Sequence, residues 1–125
     1  MIDFKNPTFV KLKETSPDSV MPTIQPLLMQ DENIVSAFQG TRDFIVFTNR
    51  RIMSCNVQGL TGKKKDITSL PYGRIQAFSV ETAGTLDRDS ELELWFSGVG
   101  SVKFEFSGNV NIAAIGQIIG FYVLK

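Results

Sequence analysis

The stretch that decides the fold runs from Arg42 to Gly84 and reads RDFIVFTNRRIMSCNVQGLTGKKKDITSLPYGRIQAFSVETAG. It contains four apolar runs rich in β-branched and aromatic residues, and turn-forming residues separate them. Short apolar runs between glycine, proline and asparagine breaks are typical of antiparallel strands. The stretch therefore predicts the central part of a small β-sheet or barrel.

Strands are also predicted on both sides of this stretch. The segment 91–96 alternates between polar and apolar residues, which directs Leu94 toward the core and Trp95 outward. The segment 74–82 breaks its alternation and predicts a β-bulge. Residues 44–47 are all apolar and predict a strand buried on both faces or in a barrel wall. The predicted strands span residues 34–39, 43–48, 51–57, 63–70, 74–82, 91–96 and 102–106.

A short helix is predicted before the first of these strands. Ser16 is a good N-cap and Pro17 suits the first helical position, so the helix begins there. Pro22 and Pro26 interrupt the pattern, because proline lacks a backbone N–H and clashes with the preceding turn. We expect a short or kinked helix that ends near Met29.

The last segment, residues 109–124, predicts a closing helix. Its apolar side chains recur every three to four residues, and Asn109 can cap the first turn. The order of elements is therefore a short helix, about seven strands and a C-terminal helix. This order predicts a mainly β (α+β) fold in which residues 16–125 form one domain and residues 1–15 form an N-terminal arm.

Composition excludes several classes of function. Basic and acidic residues both number 13, so the formal net charge is zero and we expect no nucleic-acid partner. Histidine is absent, which removes the commonest general base and zinc ligand. No apolar run reaches the roughly 18 residues that span a bilayer, and the N-terminus lacks the apolar region of a signal peptide. A cytoplasmic location is therefore expected.

The reactive side chains predict no catalytic site, no metal site and no cofactor. Cys55 lies in an apolar strand without a histidine to activate it, so we interpret it as a small buried side chain. Asp87 and Asp89 stand in a loop that lacks the calcium-binding pattern of residues. An enzyme would need either a carboxylate site or a site based on lysine or tyrosine. The carboxylate site would require Asp43 to approach these two aspartates in space.

Four separate motifs occur in order along the chain: RDFIVFTNRRI (42–52), QGLTGKK (58–64), LPY (70–72) and FSVETAG (78–84), with Asp87 and Glu91-Leu92 after them. Over residues 17–124 the sequence resembles the bacterial pleckstrin-homology (PH) domain family. The TNRRI turn in the first motif is also similar to GRAM-type barrels.

The resemblance implies a PH-like barrel of antiparallel strands whose open end is capped by the C-terminal helix. It further implies a cytoplasmic, non-catalytic protein that self-associates into ring-like homo-oligomers. It does not imply phosphoinositide binding, because the basic loop that holds inositol phosphates in eukaryotic relatives corresponds here to the short connection at Thr41-Arg42.

Six basic residues are candidates for binding an anion or an acidic membrane. Three lysines near an anionic surface contribute about 1 kcal/mol each, so such contact would be weak. The alternative interpretation is a solvated loop and an edge strand protected by lysines. The six residues are Arg50, Arg51, Lys63, Lys64, Lys65 and Arg74.

Four apolar residues are predicted to form an oligomer interface: Trp95, Ala114, Ile118 and Phe121. Trp95 faces outward, and exposed tryptophan is enriched at interfaces. The closing helix is apolar on nearly all sides, which is typical of a helix buried against more than one neighbour. In the alternative interpretation the N-terminal arm or helix covers these side chains. The sequence thus predicts a self-associating scaffold or protein-binding module, with anionic contact as the alternative function.

Overall fold

The computed structural model describes residues 1–6 and 8–125 of the chain. In these residues eight strands form one sheet, α1 precedes the second strand, and α2 follows the eighth. Single turns of 3₁₀ helix lie at Gln25–Leu27 and Tyr72–Arg74. The elements are β1 (Thr8–Thr15), α1 (Pro17–Ile24), β2 (Ile34–Gln39), β3 (Phe44–Thr48), β4 (Arg51–Gln58), β5 (Lys64–Pro71), β6 (Ile75–Glu81), β7 (Ser90–Phe96), β8 (Gly100–Phe106) and α2 (Ile112–Val123).

The sheet curls into a barrel. Its strand order is β5-β4-β3-β2-β1-β8-β7-β6, which places β1 between two antiparallel meanders. β1 is antiparallel to β2 and parallel to β8. The edge strands β5 and β6 are joined directly by the turn at Tyr72–Arg74, so the two ends of the sheet meet there. The predicted mainly β class, with a short first helix and a closing helix, is confirmed.

The barrel interior is a single apolar cluster. The rings of Phe38 and Phe47 pack edge to face with centroids 5.9 Å apart, and those of Phe38 and Phe106 with centroids 5.1 Å apart. From α2, Ile115 and Ile119 insert into the same cluster and are almost fully buried. Burial of each large apolar side chain contributes roughly 1.5–3 kcal/mol, so α2 is a structural part of the barrel.

Two tyrosines fasten α2 to the seam between β5 and β6. The ring of Tyr72 stacks on that of Tyr122 with centroids 4.7 Å apart and planes inclined by 13°. The Tyr72 hydroxyl donates a hydrogen bond to the carbonyl of Thr48 at 2.6 Å. Burial raises the pKa of Tyr72 far above its ordinary value, so the hydroxyl keeps its proton and remains a donor.

A second, smaller core lies on the outer face of the sheet, under α1. Val20 and Ile24 of α1 pack against Val46, Met53 and Cys55. Because β3 has this core on one face and the barrel interior on the other, all five of its residues are buried. β3 is therefore the predicted strand with two buried faces, and α1 covers its outer face.

Strand β1 falls within residues 1–15, for which the sequence predicts only an arm. Phe9 and Leu12 are both buried, but they are three residues apart, because the register shifts between them. Lys11 has a φ of 54° at this irregularity. The bulge removes the two-residue alternation by which strands are recognised, and this hides β1 in the sequence.

The ends of both helices differ from prediction in detail. Ser16 caps α1 as expected, accepting a hydrogen bond from the N–H of Asp18. The α-helix ends at Ile24, not near Met29, since the chain continues as the 3₁₀ turn that contains a proline. The cap of α2 is Asn111 rather than Asn109, which lies in the turn before the helix.

The second meander contains the predicted bulge and a diagonal ion pair. The register of β6 against β7 shifts between Ile75 and Ala77, which confirms the predicted bulge. Lys103 of β8 lies opposite Glu93 of β7. Its ammonium group lies 3.8 Å from the carboxylate of Glu91, so the ion pair is diagonal.

Candidate functional site

A buried carboxylate, Glu32, engages Arg51. Arg51 donates from Nε and Nη2 to the two carboxylate oxygens, each at 2.9 Å. Thr48 Oγ1 donates to Glu32 at 2.6 Å, and the N–H of Met29 donates at 3.0 Å. The charges are therefore paired and hydrogen-bonded, as buried charges must be. Arg51 is committed within the fold and offers little to an external anion.

The Glu32 carboxyl makes the stability of the fold depend on pH. Burial alone raises its pKa, but the hydrogen bonds from Arg51, Thr48 and Met29 outweigh burial and lower the pKa from 4.5 to about 2. A carboxyl with a depressed folded-state pKa stabilises the fold above its unfolded pKa and loses this contribution as the pH falls. We expect the free energy of unfolding to drop by about 3 kcal/mol between pH ~4.5 and pH ~2 through this group alone.

Urea unfolding of the wild type and of Glu32→Gln across this pH range measures the effect. Glutamine cannot titrate, so the variant should lose this part of the pH dependence while other carboxyl groups contribute equally to both proteins. Parallel curves for the two proteins would contradict the assignment.

The other predicted arginine of this turn is also engaged. Arg50 Nη2 bonds to the carboxylate of Asp31 at the surface, where both side chains are exposed. Asp31 and Glu32 thus supply one carboxylate for each of the two neighbouring arginines. Such an exposed ion pair contributes about 0–1 kcal/mol, so Arg50 is held far less firmly than Arg51.

The six candidate anion-binding residues do not form one patch. Arg51 lies opposite Pro71 at one end of the β4–β5 hairpin, whereas Lys65 lies opposite Val57 near the other end. Six residues of extended chain separate these positions by about 20 Å. The exposed members are Arg50, Lys63, Lys64, Lys65 and Arg74.

Trp95 stands on the outer face of β7, as predicted. Half of its surface is exposed, and it lines a shallow groove of about 220 Å³ together with Ala77, Ser79 and Glu93. The residues that line this groove with the indole all belong to β6 and β7. We call these residues of β6 and β7 the tryptophan surface.

The outer side of α2 carries the other three residues of the predicted interface. Phe121 is 73% exposed, Ala114 is exposed and Ile118 is half-buried. Together with Val35 of β2 and Tyr122 they line a groove of about 400 Å³, which we call the α2 groove. Sequence reasoning missed Val35, although its outward position in an alternating strand was a usable signal.

A second cleft, of about 560 Å³, adjoins the α2 groove through shared residues, among them Ala114 and Ile118. Phe38 and Ile115 contribute to its apolar lining, and Lys13 is one of its polar residues. The apolar surface of α2 is therefore longer than the groove alone.

The tryptophan surface and the α2 groove lie on different faces of the molecule. Leu94 and Phe96 belong to the cluster into which α2 inserts, so this face of β7 points toward the helix. Trp95, between them in the strand, points to the opposite face. The four residues predicted as one interface therefore form two separate apolar surfaces.

The thiol of Cys55 and the carboxylate of Asp43 both lie in the β3–β4 hairpin region. Cys55 is fully buried, and burial together with Asp43 raises the pKa of its thiol to about 11. Asp43 accepts hydrogen bonds from the N–H of Val57 and from Asn56, which holds the start of β3 against β4. These groups stabilise the hairpin.

Carboxylates crowd together near the β6–β7 loop. Glu91 lies directly opposite Glu105 in the sheet. Burial and the nearby Asp89, Glu91 and Asp87 raise the pKa of Glu105. Among the described residues, no group of three or more acidic, cysteine or histidine side chains has an arrangement that could hold a metal ion.

Neither α1 nor α2 has the length and apolar character needed to cross a bilayer.

Comparison with known proteins identifies the family. The sequence model of the bacterial PH domain matches residues 3–123, nearly the whole chain. The chain belongs to the bacterial PH domain family. A curated relative, the uncharacterised protein YjqA of Bacillus subtilis, is 40% identical over 103 residues, which cover 81% of this chain and 82% of YjqA. The resemblance noted in motifs 42–84 is thereby confirmed.

Solved structures of bacterial PH domains have the same fold. A DUF1696 family protein with a PH domain from Shewanella loihica superimposes with a TM-score of 0.80 at 34% identity, covering 92% of this chain and 99% of that one. A PH domain from Shewanella amazonensis gives a TM-score of 0.70 at 36% identity, covering 89% and 90%. The predicted PH-like barrel with a C-terminal helix is therefore confirmed. The described residues form eight strands in place of about seven, and one of the strand pairs is parallel.

Proposed function

We propose that this bacterial PH domain is a non-catalytic, self-associating scaffold. In the contact we propose, the tryptophan surface of one protomer packs against the α2 groove of the next. The observation that carries the proposal is the pair of apolar surfaces left exposed on one small chain, one centred on Trp95 and one on Phe121. Aromatic side chains of this kind are enriched in the energetically dominant centres of protein interfaces.

The geometry of the two surfaces favours head-to-tail association. A two-fold dimer uses the same surface twice, whereas two different surfaces on different faces suit a heterologous contact. Heterologous contacts repeat from chain to chain, and they close into a ring when the rotation per step permits. The zero net charge of the chain places no long-range repulsion in the way of such an assembly. This supports a ring-like homo-oligomer as the assembled form.

The charge distribution at the tryptophan surface is compatible with this contact. Glu93 is the charged residue of that groove, and the α2 groove contains Gln117 as its polar member. When the tryptophan surface meets the α2 groove, no two like charges come together. Burial of the exposed rings of Trp95 and Phe121 would then supply the apolar centre of the interface.

Light scattering coupled to size-exclusion chromatography tests the proposal. We expect a solution mass that is a multiple of the 13.9 kDa chain and that falls toward one chain on dilution. A strict monomer at all concentrations up to the millimolar range would remove the proposal.

A further inference from the structure

The turn between β4 and β5 presents a fully exposed leucine. Leu60 occupies the tip, between Gly59 with a φ of 79° and Gly62 with a φ of 68°. These left-handed conformations make a tight turn that projects the side chain away from the sheet. Leu60 belongs to neither of the two apolar cores. Its exposure therefore contributes nothing to the stability of the barrel.

Basic side chains surround this tip. Lys63 lies in the turn, and Lys64 and Lys65 begin β5. Successive residues of a strand point to opposite faces, so Lys64 and Lys65 flank the hairpin on both sides. All three are exposed. Arg42, on the neighbouring β2–β3 turn, reaches the same place and donates from Nη2 to the carbonyl of Gly59 at 2.7 Å.

Two carboxylates, Asp43 and Asp66, lie next to these basic residues in the sequence and have partners of their own. Asp43 accepts hydrogen bonds from the N–H of Val57 at 2.8 Å and from Asn56 at 3.3 Å. Asp66 lies 2.6 Å from the amino group of Met1. Four basic side chains and the amino group of Met1 outnumber the carboxylates of Asp43 and Asp66, so the surroundings of Leu60 carry net positive charge in a chain of zero net charge.

A second exposed leucine provides the contrast. Leu86 is as exposed as Leu60 and also lies in a loop between two strands. Its neighbours Asp87 and Asp89 are acidic, with Arg88 between them. The two loops therefore match in apolar character and differ in the sign of their charge.

From this arrangement we propose that the β4–β5 turn is an interfacial membrane anchor for anionic bilayers. Leu60 enters the boundary between headgroups and acyl chains, while Lys63, Lys64, Lys65 and Arg42 contact the lipid phosphates. An exposed apolar residue within a basic surface matches both layers of such an interface. The anchor is independent of the tryptophan surface and the α2 groove. An oligomer would present several copies and bind more tightly through multivalency.

Co-sedimentation with phosphatidylcholine vesicles, prepared with and without phosphatidylglycerol, tests the anchor at about 0.1 M salt. We expect the full chain to bind the anionic vesicles and not the neutral ones. Each lysine replaced by glutamine should weaken the partition coefficient about fivefold. Leu60→Ser should weaken it about tenfold, and Leu86→Ser should leave it unchanged.

A triple replacement of Lys5, Lys13 and Lys125 with glutamine is the charge-matched control. It removes the same net charge as the triple replacement of Lys63, Lys64 and Lys65, but from other parts of the chain. We expect this control to retain most of the binding. Equal losses in the two triple variants would show a non-specific charge effect and overturn the proposal.

Insertion itself has a spectroscopic readout. In the Trp95→Phe/Leu60→Trp variant the only indole sits at the tip, and its fluorescence should shift to shorter wavelength on anionic vesicles. Equal binding to neutral and anionic vesicles, or equal effects of Leu60→Ser and Leu86→Ser, would refute the anchor. Release by soluble glycerophosphate, or binding to heparin without dependence on Leu60, would indicate a phosphate or polyanion site instead and also refute it.

Discussion

Replacing Arg51 with methionine is expected to lower the free energy of unfolding by about 3–5 kcal/mol. The change removes the guanidinium that bonds to both oxygens of the Glu32 carboxylate and leaves that carboxylate buried. An unpaired buried charge costs much more than the net contribution of the pair, because the desolvation penalty is no longer offset. The β3–β4 hairpin and the segment after α1 should both loosen.

The adjacent arginine supplies the matched control. Arg50 pairs with Asp31 at the surface, so Arg50→Met should change the free energy of unfolding by less than about 1 kcal/mol. In the double variant Glu32→Gln/Arg51→Met no charge remains buried, and we expect part of the lost stability to return. Chemical denaturation at neutral pH measures all three variants. Equal effects of the two arginine replacements would show that the burial of Glu32 has no energetic consequence.

Replacing Phe121 with aspartate is expected to weaken self-association by about a hundredfold or more. In the single chain the ring is 73% exposed and contacts Tyr122 edge to face, so most of its surface gains contacts only when a second chain covers the α2 groove. The new carboxylate would then be buried at the centre of an apolar contact. The isolated domain should lose no more than about 1–2 kcal/mol of its free energy of unfolding, because Phe121 lies outside the core and the change removes one edge-to-face contact and adds a charge to the last turn of α2.

Leu86→Asp controls for the added charge. Leu86 is fully exposed, but it lies in the β6–β7 loop and not in the α2 groove. Analytical ultracentrifugation of the two variants should show a monomer for Phe121→Asp and wild-type association for Leu86→Asp. The same assembly in both variants would exclude the α2 groove as a contact surface.

Periodicity predicted those parts of the fold in which one face of a regular strand is buried. In β7 the alternation placed Leu92, Leu94 and Phe96 inside and Trp95 outside, as the structure shows. In β1 the same physical rule failed, because the bulge between Phe9 and Leu12 breaks the period. Alternation in the sequence indicates which face of a strand is buried only where the strand has no bulge.

Contacts between segments that are far apart in the chain produce no periodic pattern in the sequence. Glu32 follows the polar residues Gln30 and Asp31, a pattern that is typical of an exposed loop, yet the fold buries it against Arg51, 19 residues further along the chain. That contact depends on the return of the chain through the β3–β4 hairpin, and no local spacing encodes it. The two arginines were consequently predicted as ligands for an external anion when both have internal carboxylate partners.

The candidate interface was predicted residue by residue but not in its arrangement. Outward alternation identified Trp95, and the nearly all-round apolar character of the closing helix identified Phe121. Whether two such residues share a surface depends on which side of β7 the helix packs. That is a property of the whole barrel, because the curl of the sheet determines its inner face.

Mixing two interface variants tests the head-to-tail contact most directly. Trp95→Asp retains an intact α2 groove, and Phe121→Asp retains an intact tryptophan surface, so each alone should be a monomer. An equimolar mixture can form one complete contact and no second one. We expect a complex of twice the 13.9 kDa chain mass that does not grow further with concentration. A mixture that stays monomeric while the wild type assembles, or variants that assemble alone like the wild type, would contradict the head-to-tail contact.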